Sequence, residues 1–263
     1  MQLEVISHLP KVRQQRPPIL FVHGAFSGAW CWNEYFLPYF AKQGYPTYAV
    51  SLRGHGNSAG REKLYLASLA DYVADVVQVS VQLEQLPILV GHSMGGMVIQ
   101  KYLERGHPAV AAVLMASVPP QGLWPSLVYL SLSNPLLFWQ LNLVHYVSLR
   151  LATPTSIKKA LFSKTMPEQL LAKYLIHLQG ESQRVIWDML WLDLPNSCYK
   201  PTLPILVLGA ENDVFFSKSM VEKTAQFYGT QARIFPDMAH TMMLEAAWQS
   251  VADEIIDWLV MGN

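Results

Sequence analysis

Apolar residues along this chain cluster in two spacings. Short runs rich in branched residues stand at Pro17–His23, Tyr45–Leu52, Leu86–Gly91, Val110–Val118 and Pro204–Gly209, with a weaker one at Ala232–Phe235. Runs of that length bounded by Gly or Pro predict buried strands. Between them, apolar positions recur at three- and four-residue steps, predicting helices at Trp32–Gln43, Leu66–Glu84, Met94–Arg105, Ser217–Tyr228 and Ala246–Met261. In the second of these, Leu69, Val73, Val76, Val77 and Leu83 mark the apolar side, with Asp71, Asp75 and Glu84 between them. Strands alternating with helices predict an α/β fold: a mostly parallel, doubly wound sheet with helices on both faces.

The alternation stops after Val118. From Pro119 to about Tyr199 the pattern holds no convincing strand, only Pro-punctuated helical pieces at Leu127–Ser133, Leu136–Ala152, Ile157–Thr165, Pro167–His177 and Glu181–Trp191. An insertion of that size between two strands of such a sheet is expected over their carboxyl ends, as a lid. The expected organisation is therefore a core of residues 1–118 and 200–263 with a helical lid at 119–199.

Composition sharpens this. Only 14% of the 263 residues are charged, against about 25% in a typical soluble domain, while 51% are hydrophobic. Disordered and fibrous classes are excluded. The formal net charge is zero, so no overall field would draw the chain to nucleic acid or an anionic membrane, and nucleic acid is not an expected partner. The deficit is concentrated: the 44 residues from Gly106 to Leu149 contain no Asp, Glu, Lys or Arg. Two cysteines, Cys31 and Cys198, are read as buried free thiols. Met1–Val12 has neither a basic start nor an apolar core, and no apolar run is long enough to span a membrane. The expectation is a cytoplasmic protein without a signal peptide or spanning segment.

Chemistry gathers where predicted strands end. Gly91-His92-Ser93-Met94-Gly95-Gly96 follows the strand ending near Val90 and opens a helix at Met94. Glycines two positions either side of Ser93 allow a sharp turn that lifts a serine hydroxyl above the sheet edge. Such a hydroxyl needs a base, and the base an orienting carboxylate. Of the histidines after Ser93, His240 lies in a loop past the last strand, whereas others lie in or beside helical stretches. Asp213 follows the strand Pro204–Leu208 and is the expected acid, in preference to Glu211 and Asp237, with Asp188 and Asp193 read as helix-surface charges. An oxyanion would take the backbone N–H of Met94 and a second from the loop after the first strand: Ala25, with Phe26 as the neighbouring alternative. The His23 side chain is expected to prop that loop.

His23-Gly24-Ala25, Arg53-Gly54-His55-Gly56-Asn57-Ser58, the turn around Ser93, the loop ending at Asp213, and His240 together resemble the α/β-hydrolase fold superfamily over essentially the whole chain. Locally, Val22-His23-Gly24-Ala25 followed by Gly28-Ala29-Trp30-Cys31-Trp32 is similar to the branch of plant methylesterases and hydroxynitrile lyases. Ser51 stands where many members have Asp, which alters a loop hydrogen bond. Met242 and its neighbours include no lysine of the kind hydroxynitrile lyases carry near the histidine, which disfavours cyanohydrin cleavage.

The resemblance implies a serine hydrolase acting on a small apolar ester through an acyl-enzyme. The sequence holds no Cys/His cluster with zinc spacing, no Gly-rich phosphate loop and no dinucleotide fingerprint, so no cofactor or metal is expected. Substrate contacts are expected from Phe26, His92, Trp124, Leu127, Phe138 and Met242. The uncharged lid would pack internally, line an acyl pocket, or present a face to lipid or a second subunit. Haloperoxidase, thioesterase and carbon–carbon hydrolase chemistry on the same residues, or a small-molecule receptor, are the alternatives.

Overall fold

A computed structural model describes residues 1–12, 15–146 and 153–261. Its strands are β1 (Val5–His8), β2 (Ile19–Val22), β3 (Thr47–Val50), β4 (Ile88–His92), β5 (Ala111–Met115), β6 (Ile205–Ala210) and β7 (Ala232–Phe235). They form a seven-stranded sheet in the order β1-β3-β2-β4-β5-β6-β7. All neighbours are parallel except β1, which runs antiparallel to β3 with Val5 opposite Val50.

Every residue of β2, β4, β5 and β6 is buried, as both-face coverage requires. Alternate side chains feed two cores. Ile19 and Phe21 pack with Trp32, Phe36 and Phe40 of α1 (Trp30–Asn33) and α2 (Phe36–Lys42), and with Ile255 of α11 (Trp248–Val260). Leu20 and Val22 pack on the other face with α3 (Leu69–Ser80), α4 (Met94–Glu104) and α10 (Lys218–Phe227).

Several expectations are corrected. β1 is absent from the sequence reading because its four positions alternate between exposed and half-buried and carry only Val5 and Ile6 as apolar residues. The helix expected over Trp32–Gln43 divides into α1 and α2 at Tyr35, whose φ of −135° departs from helical geometry. Cys31 is buried, but Cys198 is exposed; both are free.

Between β5 and β6 the described residues form helices and no strand: α5 (Trp124–Ser133), α6 (Pro135–Tyr146), α7 (Pro154–Leu161), α8 (Glu168–Leu175) and α9 (Gln183–Trp187), followed by a π-helical turn at Asp188–Leu192. The expected continuation of α6 to Ala152 lies outside the described residues. The early start of α5 has a local cause in Pro125 within its first turn, where a missing N–H costs nothing. Thr153 and Ser156 close a capping box on α7. The helix expected from Glu181 begins later, because Ser182 caps it by accepting the Val185 amide at 3.2 Å.

Three buried carboxylates tie this segment to the sheet domain. Glu245 accepts the Ser163 amide at 2.6 Å and its hydroxyl at 2.8 Å. Asp188, expected on the surface, is buried and accepts the Leu69 amide at the start of α3 at 2.9 Å. Glu181 is the third. Asp193 pairs with Lys101 at 2.8 Å. Among the described residues no helix is long and apolar enough to cross a membrane.

Candidate active site

The strand order reverses between β2 and β4, so the loops leaving their carboxyl ends diverge and open a crevice there. Ser93 sits at this point with φ 53° and ψ −117°, a conformation few side-chain-bearing residues adopt. It is tolerated because the surroundings leave no other path. The Ser93 amide donates to Met115 O at 3.1 Å, and its carbonyl accepts from Gly96 N at 3.0 Å and Val118 N at 3.1 Å. A Cβ on Gly95 would lie 2.3 Å from Val22 O, and one on Gly91 2.5 Å from Gly95 O. The glycines thus let α4 press against β2 and β4 directly beneath Ser93.

The loops after β6 and β7 bring the other two groups. His240 Nδ1 lies 2.8 Å from Asp213 Oδ2, and both residues are buried. Asp213 Oδ1 accepts the amides of Phe215 at 2.8 Å and Phe216 at 3.2 Å, which fixes the carboxylate from its other side. With Nδ1 donating to the carboxylate, the His240 Nε2 lone pair is left to accept a proton. His92 Nε2 donates to the His240 carbonyl at 2.9 Å. Burial pulls His92 well below the usual histidine range, so it is neutral and holds the His240 main chain.

The amides of Ala25 and Met94 make no hydrogen bond among the described residues. Phe26 differs: its N–H points to Glu181 Oε2 at 3.3 Å. Of the two residues considered from the sequence, Ala25 therefore keeps its donor. His23 holds the base of the loop, donating from Nδ1 to Gly24 O at 2.8 Å and accepting the Leu52 amide on Nε2 at 3.0 Å. Burial pulls it down to about 3, which keeps this tautomer neutral.

Ser93 and His240 line one cavity of about 250 Å³, roofed by the helices between β5 and β6. Of the expected substrate contacts, Phe26, His92, Leu127 and Phe138 line it; Trp124 and Met242 do not. Trp124 is 57% exposed, facing Trp191 with ring centroids 6.3 Å apart. Met242 is fully buried in the same core cluster as Phe21 and Trp32, and its neighbour Met243 lines the cavity instead. The 3-10 turn at Met242–Leu244 sets which methionine points where, and two adjacent methionines carry no sequence signal for it. Phe215 and Phe216 also line the cavity and pack on His240, at 4.8 and 5.6 Å between ring centroids. Sequence reasoning passed over them, although the apolar run Val214-Phe215-Phe216 directly after a candidate acid was a usable signal. Among the described residues no group of three His, Cys, Asp or Glu is placed to hold a metal ion.

A family model for the alpha/beta hydrolase family matches residues 19–254. The chain belongs to that family. The non-heme chloroperoxidase of Streptomyces lividans is 33% identical over 106 residues, covering 39% of this chain and 37% of that protein. Methylesterase 3 of Arabidopsis thaliana is 30% identical over 86 residues, 32% of each. The matched region thus spans about a third of the length of these curated relatives. In overall fold this alpha/beta hydrolase is similar to a thermophilic esterase from Thermogutta terrifontis, with TM-score 0.74, 16% identity, and coverage of 98% of this chain and 93% of that one.

Proposed function

We propose that this protein is a serine hydrolase of carboxylic esters whose acyl or alcohol part is apolar. The reading is carried by one observation: Ser93 and His240, the latter bonded to Asp213, line a mostly apolar cavity together with Ala25 and Met94, whose amides make no hydrogen bond among the described residues. In the proposed reaction His240, oriented by Asp213, takes the Ser93 proton as Oγ attacks the ester carbonyl. The Ala25 and Met94 amides stabilise the negative charge that develops on the carbonyl oxygen. The tetrahedral species collapses, His240 returns the proton to the departing alcohol, and a water molecule activated by the same histidine cleaves the acyl-enzyme to the acid. Ser93 Oγ has no hydrogen bond to His240 among the described residues. The serine–base contact is commonly looser before substrate closes the site.

The helices of residues 119–199 serve in this reading as the lid that excludes water and supplies the apolar wall. Walls of leucine, phenylalanine and methionine favour hydrocarbon, by about 0.8 kcal/mol per buried methylene.

Similarity to a chloroperoxidase favours a second use of the same residues, in which hydrogen peroxide replaces water at the acyl-enzyme and the product is a peracid. One set of assays separates these readings. Rapid labelling of Ser93 by a fluorophosphonate together with turnover of p-nitrophenyl esters supports the esterase. Halide oxidation from acetate and hydrogen peroxide at a rate exceeding ester hydrolysis supports the second. Absence of labelling and of turnover overturns both.

A further inference from the structure

Glu181 enters the interior from the loop before α9, and all of its contacts lie outside that loop except one. Its Oε1 accepts the Tyr72 hydroxyl at 2.6 Å and the Ser182 amide at 2.7 Å; its Oε2 accepts His55 Nε2 at 3.1 Å and the Phe26 amide at 3.3 Å. His55 has acceptors on both sides, Glu181 at Nε2 and the Arg53 carbonyl at Nδ1, 3.1 Å away. Both ring nitrogens must therefore carry protons, and the ring is an imidazolium. Burial opposes its charge most strongly, but the Glu181 carboxylate and the Arg53 carbonyl together outweigh it and raise the pKa above the usual value. Burial likewise opposes the Glu181 charge, yet His55, Tyr72 and the Ser182 amide hold it down to about 2. His23, only 5.0 Å away between ring centroids, is kept neutral by burial and by the neighbouring His55 charge.

A buried ion pair is a weak source of stability, because desolvation consumes much of the attraction. Its geometry points to another use. Phe26, with φ 63°, is a strained, non-glycine residue that lines the cavity next to Ala25. Strain of this kind persists only where neighbours hold the backbone. One stretch of the helical segment supplies three contacts to this backbone. Glu181 takes the Phe26 N–H, Gln179 N donates to Phe26 O at 3.1 Å, and Gln179 Nε2 donates to Ser27 O at 2.7 Å. Arg61 in turn holds Gln179 Oε1 at 2.7 Å.

We infer that Glu181 is a positioning residue: through the Phe26 amide it holds the Ala25 N–H in the orientation that receives the oxyanion. The helical segment and the oxyanion site are then assembled in one step, since the carboxylate that docks the segment also shapes the loop. This rests on the ester-hydrolase reading above.

The test compares Glu181→Gln, which removes the charged acceptor at Phe26, with Tyr72→Phe, which removes a different partner of the same carboxylate and leaves the Phe26 contact. Each is assayed for ester turnover, for affinity to an aryl trifluoromethyl ketone whose hemiketal oxyanion needs the Ala25 donor, and for affinity to an apolar alcohol of matching size. Glu181→Gln is expected to lose about 10- to 100-fold in kcat and the same factor in ketone affinity, with KM and alcohol affinity within about twofold. Tyr72→Phe is expected to stay within about threefold on all readouts. Glu181→Asp keeps the charge but withdraws it from Phe26, and should reproduce the loss if Glu181→Gln does not fold. Ketone and alcohol affinities falling together, ketone affinity unchanged, or failure of both Glu181 variants to fold would each make Glu181 merely structural and overturn the inference. A wild-type protein that neither turns over esters nor reacts with a fluorophosphonate at Ser93 would instead overturn the ester-hydrolase reading, and the inference with it.

Discussion

Asp213 and His240 meet at 2.8 Å between Oδ2 and Nδ1, although 26 residues and a strand separate them in the chain. Because Asp213 Oδ1 is already occupied by the Phe215 and Phe216 amides, the carboxylate can turn neither away from the imidazole nor onto water. Asp213→Asn keeps an oxygen for those amides but offers an N–H or a neutral acceptor to Nδ1, and so disturbs the tautomer. It is expected to lower kcat by about 10⁴ with a nearly unchanged melting temperature. Steady-state kinetics beside a thermal melt checks this; activity within tenfold of wild type would remove Asp213 from the proposed role.

The elbow beneath Ser93 depends on space rather than on backbone freedom alone, and two glycines separate the causes. A Cβ on Gly95 would lie 2.3 Å from Val22 O and 2.6 Å from His23 O, whereas one on Gly106, at φ 77°, meets nothing within 4 Å. Gly106→Ala should cost only the strain of a left-handed residue, about 1 kcal/mol. Gly95→Ala should cost about 3 kcal/mol or more, because backbone must shift. Denaturant titration of the two variants decides the order.

The apolar cavity predicts a chain-length profile. For p-nitrophenyl esters, kcat/KM should rise from acetyl by up to about fourfold per methylene, until the space is filled. Leu127→Trp puts bulk into the wall and should move the optimum to shorter acyl groups while leaving acetate turnover close to wild type. A flat profile, or an unmoved optimum, would discard the acyl-pocket assignment.

Trp124 and Met242 offer a contrast between surface and core. Trp124→Ala removes an exposed ring outside the cavity and should leave kcat/KM within about twofold. Met242→Ala opens a void in the buried cluster and should destabilise the fold by about 2–5 kcal/mol. Kinetics on the first and unfolding on the second test both.

The Glu181–His55 pair should write itself into stability against pH. The Glu181 carboxyl is lowered to about 2 in the fold, from an ordinary 4.5, so its contribution is full above 4.5 and is lost as pH falls towards 2. His55 is raised above its ordinary 6.5, so its contribution is full below 6.5 and is lost as pH climbs through the raised value. The difference in melting temperature between wild type and Glu181→Gln should therefore peak between about pH 4.5 and 6.5 and shrink on both sides. A difference independent of pH would mean that the pair is not ionised as described.

The sequence by itself determined the alternating α/β order, the apolar runs Pro17–His23, Leu86–Gly91, Val110–Val118 and Pro204–Gly209 within or across which strands form, and the loops on which Ser93, Asp213, His240 and Ala25 lie. These are local properties: continuous apolar runs mark doubly covered strands, and a residue just past a parallel strand reaches the same sheet edge whatever lies elsewhere. Only the tertiary structure decided which side chains face the cavity. Trp124 against Leu127, and Met242 against Met243, differ by a rotation about an element with no charged residue to mark its outer side, so periodicity does not orient it. Glu181 was hidden for a different reason: at the first position of an expected helical piece, nothing local marks its charge as buried until His55, Tyr72 and Phe26, 109 to 155 residues away in the chain, are seen to close around it.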